Sequence, residues 1–341
     1  MSMDLSITGT GAVSSAGWGV AAMMEALNSP AVIPVSLIER ALGDLVVRTP
    51  VRRVPQAAAT MPKSSRLRRA SPITKFAAAA AMEALGAERA AESLAGRLRV
   101  GVILTLVNGC VNYSNRFFGE VLADPALASP ILFPETVFNA PSSHISALIG
   151  STCPNDSIVG DETAYLTGVD LAAEWITRGD VDGCLVVAAE EADWLSAEGL
   201  CLYSKHHVPS EGAGAIYLEA GSGNVRIHHL PDPVAYPFRG RANAVLDMRK
   251  TISPTDDADT LLVDSRAGVP RFDRAETRAW SDWTGPRWSP KRVLGESMGA
   301  ACALQVVAAV EALKSGGFKQ AVVSSAGSNQ QAAGMVLRAS A

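Results

Sequence analysis

The hydrophobic pattern changes period along this chain. Leu5 to Gly9 is a short apolar run followed by small residues, which predicts a strand and a turn, and Val20 to Leu27 has helical spacing. Ile73 to Leu85 is alanine-rich and predicts a second helix. Arg99 to Val107, RVGVILTLV, is a continuous apolar run, the pattern of a strand buried on both faces. Phe117 to Leu127 predicts another helix. Residues 44–70, rich in Arg, Pro and Ala, predict a long connection, and Pro130 to Ser143, punctuated by proline, predicts irregular chain.

Two later stretches share one pattern. Leu171 to Glu190 reads LAAEWITRGDVDGCLVVAAE, and Ala308 to Gly327 reads AAVEALKSGGFKQAVVSSAG. Each is an apolar helix, a glycine stop and a strand ending in small residues; glycine is favoured just past a helix end because it tolerates positive φ. With Gly179 set over Gly316, Glu174 falls on Glu311 and Ile176 on Leu313. Any alternating α/β protein repeats helix, glycine and strand, so the match indicates a duplicated unit only in company with other signals. It divides the chain into halves at 1–220 and 221–341.

The 341 residues are 48% hydrophobic and 19% charged, enough to bury a large core. A net charge of −4 with no long basic run argues against a nucleic-acid partner, which needs clustered Lys and Arg. The most basic stretch, KSSRLRR from Lys63 to Arg69, reads as a solvated loop before a helix or as a contact for an acidic carrier protein. The opening carries Asp4 and runs straight into a strand, unlike a secretory signal, and no apolar run reaches the roughly 18 residues of a membrane span. Five cysteines (Cys110, Cys153, Cys184, Cys201, Cys302) without a CxxC pair predict reduced thiols, a cytoplasmic location and no zinc. The adjacent pairs His206–His207 and His228–His229 predict surface or interface histidines in connections rather than metal ligands. The glycines of GTGAVSSAG (9–17) lack the spacing and the acidic partner of a dinucleotide loop, so no cofactor is predicted.

Seven segments, in order, resemble the β-ketoacyl synthase family: SITGTGAVSSAGWG (6–19), SPITKFAAAAAMEAL (71–85), NAPSSHISALIGSTCPN (139–155), WITRGDVDGCLVVAAEE (175–191), SEGAGAIYLE (210–219), SPKRVLGESMGAACALQ (289–305) and VVSSAGSNQQAAGMVLR (322–338). The resemblance spans nearly the whole chain. It implies an α/β, thiolase-like duplicated fold, layered αβαβα and usually dimeric. The chain is shorter than the family norm, with apparent trimming at Leu202 to Ser210 and at 220–260.

The family's chemistry needs a cysteine thiolate, activated at a helix N-terminus, and two histidines that assist decarboxylation and steady an enolate oxygen. The resemblance places these roles on other residues here. Counting back from Arg178-Gly179-Asp180, or forward from Pro154-Asn155, puts the nucleophile position at Glu162. In DSRAGVPRFD (264–273), Gly268, Pro270 and Asp273 set a register that puts the first histidine position at Ser265; a shift of one gives Asp264 or Arg266. In Gly295-Glu296-Ser297-Met298-Gly299-Ala300-Ala301 the second histidine position is Glu296, and the family lysine survives as Lys291. Gly327-Ser328-Asn329-Gln330 lacks the phenylalanines of the family's gating loop. A census reaches the same end without alignment: the histidines are His144, His206, His207, His228 and His229, and none lies beyond residue 229.

The resemblance therefore implies a non-catalytic, chain-length-factor-like partner of an active ketosynthase in type II fatty-acid or polyketide synthesis, aryl polyene systems being one such setting. Its partners would be that ketosynthase, in a heterodimer, or a second copy of itself, together with an acyl carrier protein. Two alternatives stand beside it. One is an acyl-thioester hydrolase or decarboxylase using Glu162 and Glu296, both expected near helix N-termini with Lys291 able to pair with either. The other is a homodimeric scaffold that grips a carrier protein through KSSRLRR.

Overall fold

The computed structural model describes residues 5–29, 32–56, 61–237 and 240–340; Asp4 and residues 57–60 of the predicted connection lie outside these. The first part of the chain forms β1 (Leu5–Ser14), β2 (Gly17–Trp18), α1 (Val20–Asn28), β3 (Ser36–Leu42), β4 (Leu45–Val51), α2 (Pro72–Leu94), β5 (Val100–Leu106), α3 (Val111–Ala123), α4 (Ala140–Ile149), β6 (Asn155–Val159), α5 (Ala164–Arg178), β7 (Gly183–Glu190), α6 (Trp194–Tyr203) and β8 (Gly212–Ala220). The rest forms β9 (Val225–His229), β10 (Val234–Ala235), α7 (Arg241–Ile252), β11 (Thr260–Val263), α8 (Pro270–Ala279), β12 (Arg287–Trp288), α9 (Pro290–Leu294), α10 (Gly299–Lys314), β13 (Gln320–Ala326) and β14 (Gln331–Ala339).

A 12-stranded sheet has the main path β12-β11-β13-β14-β9-β1-β8-β7-β5-β6, with β2 beside β1 and β10 beside β14. Its two five-strand runs meet where β1 pairs antiparallel with β9, Ser6 opposite Arg226 and Ile7 opposite Val225. Outward from that seam both runs follow one order: first strand in sequence, then fifth, fourth, second and third. The parallel pairs β5–β6, β5–β7, β11–β12 and β11–β13 are joined through helices, as parallel strands must be.

Three apolar cores define the layers. Alternate residues of β5 and β7 face opposite ways: Ile103 and Val186 join the central core, while Val102, Leu104, Leu185 and Val187 face α2 and α4. The central core is filled by α5 and α10, and α10 is buried along almost its whole length. A third core packs α7 and α8 on the far face of β11, β13 and β14. The result is helix, sheet, helix, sheet, helix. β5 is buried at every position, which is why its sequence is an unbroken apolar run rather than an alternating one.

The glycines of the 9–17 segment serve packing rather than phosphate binding. A Cβ on Gly9 or Gly11 would overlap the carbonyl oxygens of Ala84 and Ala80, so their absence lets β1 lie directly on α2.

Some local expectations need correction. The stretch 44–70 is not all connection: Leu45–Val51 pairs with Ser36–Leu42 in a hairpin. Gly43 (φ 60) and Asp44 turn between Leu42 and Leu45, a Gly-containing two-residue hairpin loop. The α2 helix runs on to Leu94, though Gly86 (φ 77, ψ 159) breaks it, and the α4 helix starts at Ala140, inside the stretch expected to be irregular. His228 and His229 are exposed, as expected, but end a strand. His207 is not a surface residue: it is 1% exposed.

Candidate functional site

Glu162 lies just ahead of α5. The preceding Asp161 organises the turn: its Oδ1 accepts from the Thr163 amide (3.1 Å) and hydroxyl (2.6 Å), and its Oδ2 from the amides of Gln330 (3.1 Å) and Gln331 (3.2 Å). A Cβ on Gly327 would overlap the Asp161 carboxylate, so glycine there allows the 327–331 loop to close over the turn. The same loop satisfies Glu162, which accepts from the amide of Ser328 (2.8 Å) and from its hydroxyl. Glu162 is buried, so these bonds replace water.

Glu296 stands ahead of α10, on the chain that turns out of α9. Its backbone is clamped to the segment before β8: its amide donates to Val208 O (2.9 Å) and its carbonyl accepts from the Ser210 amide (2.8 Å). Lys291 Nζ donates to Glu296 Oε2 (2.9 Å), and the Met298 amide donates to Oε1 (2.9 Å). Met298 has φ 45 and ψ −115, a backbone conformation that costs a side-chain-bearing residue roughly 1–3 kcal/mol. Lys291 and Glu296 are both buried.

Ser265, on the loop after β11, is also buried. Its amide donates to Glu276 Oε2 (2.7 Å) and its Oγ accepts from the Ala326 amide (3.1 Å). Its neighbours are committed elsewhere: Asp264 pairs with Arg266 (2.7 Å) and accepts from Ser289 Oγ (2.6 Å). The segment Ala326–Ser328 therefore ties Ser265 at one end to Glu162 at the other. Glu162 and Glu296 meet through Lys291, whose charge acts on both.

Burial raises the pKa of both glutamates, but the outcomes differ. For Glu162, the charge of Lys291 and the Ser328 bonds outweigh burial and hold the carboxyl below its usual range. For Glu296, burial wins: Lys291 opposes it, the nearby Glu162 charge reinforces it, and the pKa is raised. Burial lowers Lys291, but Glu296 and then Glu162 outweigh it, so the ammonium keeps its proton. One cation acts on two carboxyls, and it is Glu296 whose pKa moves up.

Burial pushes Cys110 and Cys302 up to about 12, which keeps them protonated. The cavity that Glu296 lines with Asn108, Glu190, Glu191, Ser210 and Met298 measures only about 10 Å³. That is room for about one water, far below the roughly 300 Å³ of a small-molecule pocket.

Sequence reasoning missed several members of this neighbourhood. Glu190, at the end of β7, accepts from the amides of Val107 and Asn108 (3.1 Å), and burial raises it to about 8. Glu191 accepts from the amides of Asn112 (2.8 Å) and Ile73 (3.0 Å), and burial raises it to about 7. Glu276 accepts from Ser324 Oγ (2.6 Å); burial, then the Asp264 charge, raise it to about 7. A signal existed for Glu276: it shares a helical face with Phe272, Ala279 and Trp280. His207 packs edge-on against Phe272, ring centres 4.3 Å apart.

No protein-family model matches this chain, and neither does any curated protein sequence. Solved structures do. The ishigamide ketosynthase/chain length factor superposes with a TM-score of 0.79 at 17% identity, over 99% of this chain and 100% of that one. The fold is that of the ketosynthases. A type II polyketide synthase acyl-carrier protein in complex with its ketosynthase bound to the hexaketide gives 0.78 at 15% identity, over 100% of each chain. A beta-ketoacyl synthase from Burkholderia phymatum gives 0.75 at 16%, over 99% of this chain and 100% of that one. At these identities the likeness is one of ketosynthase fold. Among the described residues no helix is long and apolar enough to cross a membrane.

Proposed function

We propose that this chain is a non-condensing, chain-length-factor-like partner of an active ketosynthase in a type II polyketide or fatty-acid system, working in the cytoplasm. The observation that carries the reading is Glu162. The residue that the family resemblance sets at the acyl-accepting position is a carboxylate held below its usual pKa and tied at both oxygens to Ser328. It cannot form the thioester that condensation needs. Ser265 and Glu296 are equally committed, to Ala326 and Glu276 and to Lys291 and Met298. In this reading the halves 1–220 and 221–341 are copies of one unit, which the common strand order of the two runs supports.

The partner is an active ketosynthase and the delivered substrate rides on an acyl carrier protein. Lys63, Arg66, Arg68 and Arg69 are exposed around the 3₁₀ turn Ser65–Arg68, and a cluster of free cations suits an acidic carrier. The test is co-expression with an intact type II ketosynthase from the same source as this chain. Co-purification is expected, with product length altered when this chain is omitted. Two proteins that never co-purify, with an unchanged product, overturn the proposal.

A second reading has an observation of its own. Two neighbouring carboxyls pushed in opposite directions, Glu162 down and Glu296 up, are the arrangement from which acid and base pairs are made. Thioester hydrolysis abolished by Glu162→Gln supports it; hydrolysis that survives this change removes it.

A further inference from the structure

The adjacent histidines His228 and His229 end β9 and have no role so far assigned. Neighbouring residues of a regular strand point to opposite faces. Here the register breaks: Ile227 pairs with Leu337 of β14 and His229 with Val336, so His228 is an extra residue, the mark of a β-bulge. Both imidazoles therefore line one cavity of about 310 Å³, within the range of small-molecule sites. The cavity lies at the far end of the sheet from Glu162. Strand β13 starts at its wall with Gln320 and ends at Ala326, beside Ser265.

The chemistry of the cavity is one-sided. Arg338 lines it, and its Nε donates to Oε1 of the buried Gln320 (3.0 Å), which fixes the guanidinium and leaves its terminal nitrogens uncommitted. No acidic residue is among those lining the cavity. Asp256 and Asp259, which follow in the chain, are engaged elsewhere, by the amides of Thr284 and Gly285 and by Lys319. Burial, then the charges of Arg338 and His229, hold His228 below the usual histidine range, so at pH 7 it is neutral and donates one N–H. The buried side chains of Ile252 and Val336 add an apolar wall. The carbonyl end of α7, at Ser253, disfavours an anion here, but a helix end counts for less than a charged hydrogen bond.

We propose that this cavity binds a small phosphate monoester, its dianionic head on Arg338 and on an N–H from each imidazole, its organic body against Ile252 and Val336. The guanidinium fork matches two phosphate oxygens. The same guanidinium repels a metal ion, and a bare inorganic anion leaves the apolar wall unused. The assignment rests on no reading of Glu162 or of a partner chain.

The test titrates the whole chain at pH 7, with ionic strength held constant by potassium chloride, and uses three probes: phenyl phosphate, inorganic phosphate and phenol. Calorimetry gives the affinities, and ring-nitrogen NMR of the histidines gives the place. Phenyl phosphate should bind saturably and shift the signals of His228 and His229 while leaving His144, His206 and His207 unmoved. Inorganic phosphate should bind about threefold or more weakly by comparison, and phenol should not bind. Arg338→Gln should weaken phenyl phosphate about tenfold or more, and Arg338→Lys should recover part of the loss. Should Arg338→Gln fail to fold, the three probes and the histidine signals of the unaltered protein still decide. Equal affinity for the two phosphates, which would mark an adventitious ion only, overturns the proposal. So do phenol binding as tightly as phenyl phosphate, unmoved His228 and His229 signals, or unchanged affinity in Arg338→Gln.

Discussion

Glu162 and Glu296 occupy matching places in the two runs of the sheet, each just ahead of a central buried helix, yet the protein treats them oppositely. Glu162 is held from outside its own run, by Ser328 on the loop between β13 and β14. Glu296 is held locally, by Lys291 five residues earlier and Met298 two residues later. A helix N-terminus favours a carboxylate by roughly 0.3–1 kcal/mol at either place. That term is too small to set the outcome in a buried site. What sets it is charge count: one lysine serves two carboxyls, its charge with the Ser328 bonds holds Glu162 down, and burial with the Glu162 charge pushes Glu296 up.

The strongest way to break this contrast is to remove the shared cation. Lys291→Met strands one buried carboxylate and should destabilise by about 3–5 kcal/mol in urea unfolding. The double change Lys291→Met with Glu296→Leu should recover much of that. A single-mutant loss below about 1 kcal/mol would show that the site takes up water freely and that the charge argument is wrong.

Next in size is the difference between the two glutamates. At pH 7, Glu162→Gln should cost about 1–3 kcal/mol, because it removes the charge that faces Lys291 and weakens the Ser328 bonds. Glu296→Gln, a neutral side chain in place of one driven towards neutrality, should cost less than about 1 kcal/mol. Equal losses would mean that the two carboxyls are not held differently.

The pH dependence sharpens the comparison further. Glu162 has a folded pKa below its unfolded value of about 4.3, so its contribution is present above that value and is lost as pH falls through the folded one. Glu190, at about 8, and Glu191 and Glu276, at about 7, do the reverse. Their contribution is full below about 4.3 and is lost as pH rises towards 7–8. Thermal stability should therefore decline from pH 5 to pH 8.5. Glu190→Gln should flatten the decline, raising Tm by about 2 °C or more at pH 8.5 and little at pH 5. A Tm gain equal at both pH values would remove Glu190 as the cause.

The smallest effect on stability is expected at the surface. Arg68→Glu with Arg69→Glu should change unfolding by no more than about 0.5 kcal/mol while abolishing retention on an immobilised acyl carrier protein. Unchanged retention would take the basic turn out of the carrier contact.

Much of this was legible in the order of residues. The buried strand at Arg99 to Val107, the helix–glycine–strand repeat and the seven family-like segments lead to the layered α/β fold, because burial on both faces and glycine-stopped helices leave direct marks on composition. The residues at the site were legible too, at fixed distances from glycines and prolines. The hairpin at Ser36–Leu42 and Leu45–Val51 was not, although Gly43-Asp44 marks its turn: its residues are mostly exposed and carry little alternation. Nor was the burial of His207, since a polar residue in a connection looks the same whether it faces water or Phe272.

By itself, then, the sequence determined the order of ketosynthase-like segments, and it singled out Glu162, Ser265 and Glu296, with Lys291, as the residues to look at. Only the tertiary structure decided what those residues do to one another. Ionisation in a buried site depends on which partners arrive from distant parts of the chain. Ser328 lies 166 residues from Glu162, and no local pattern specifies a contact at that range.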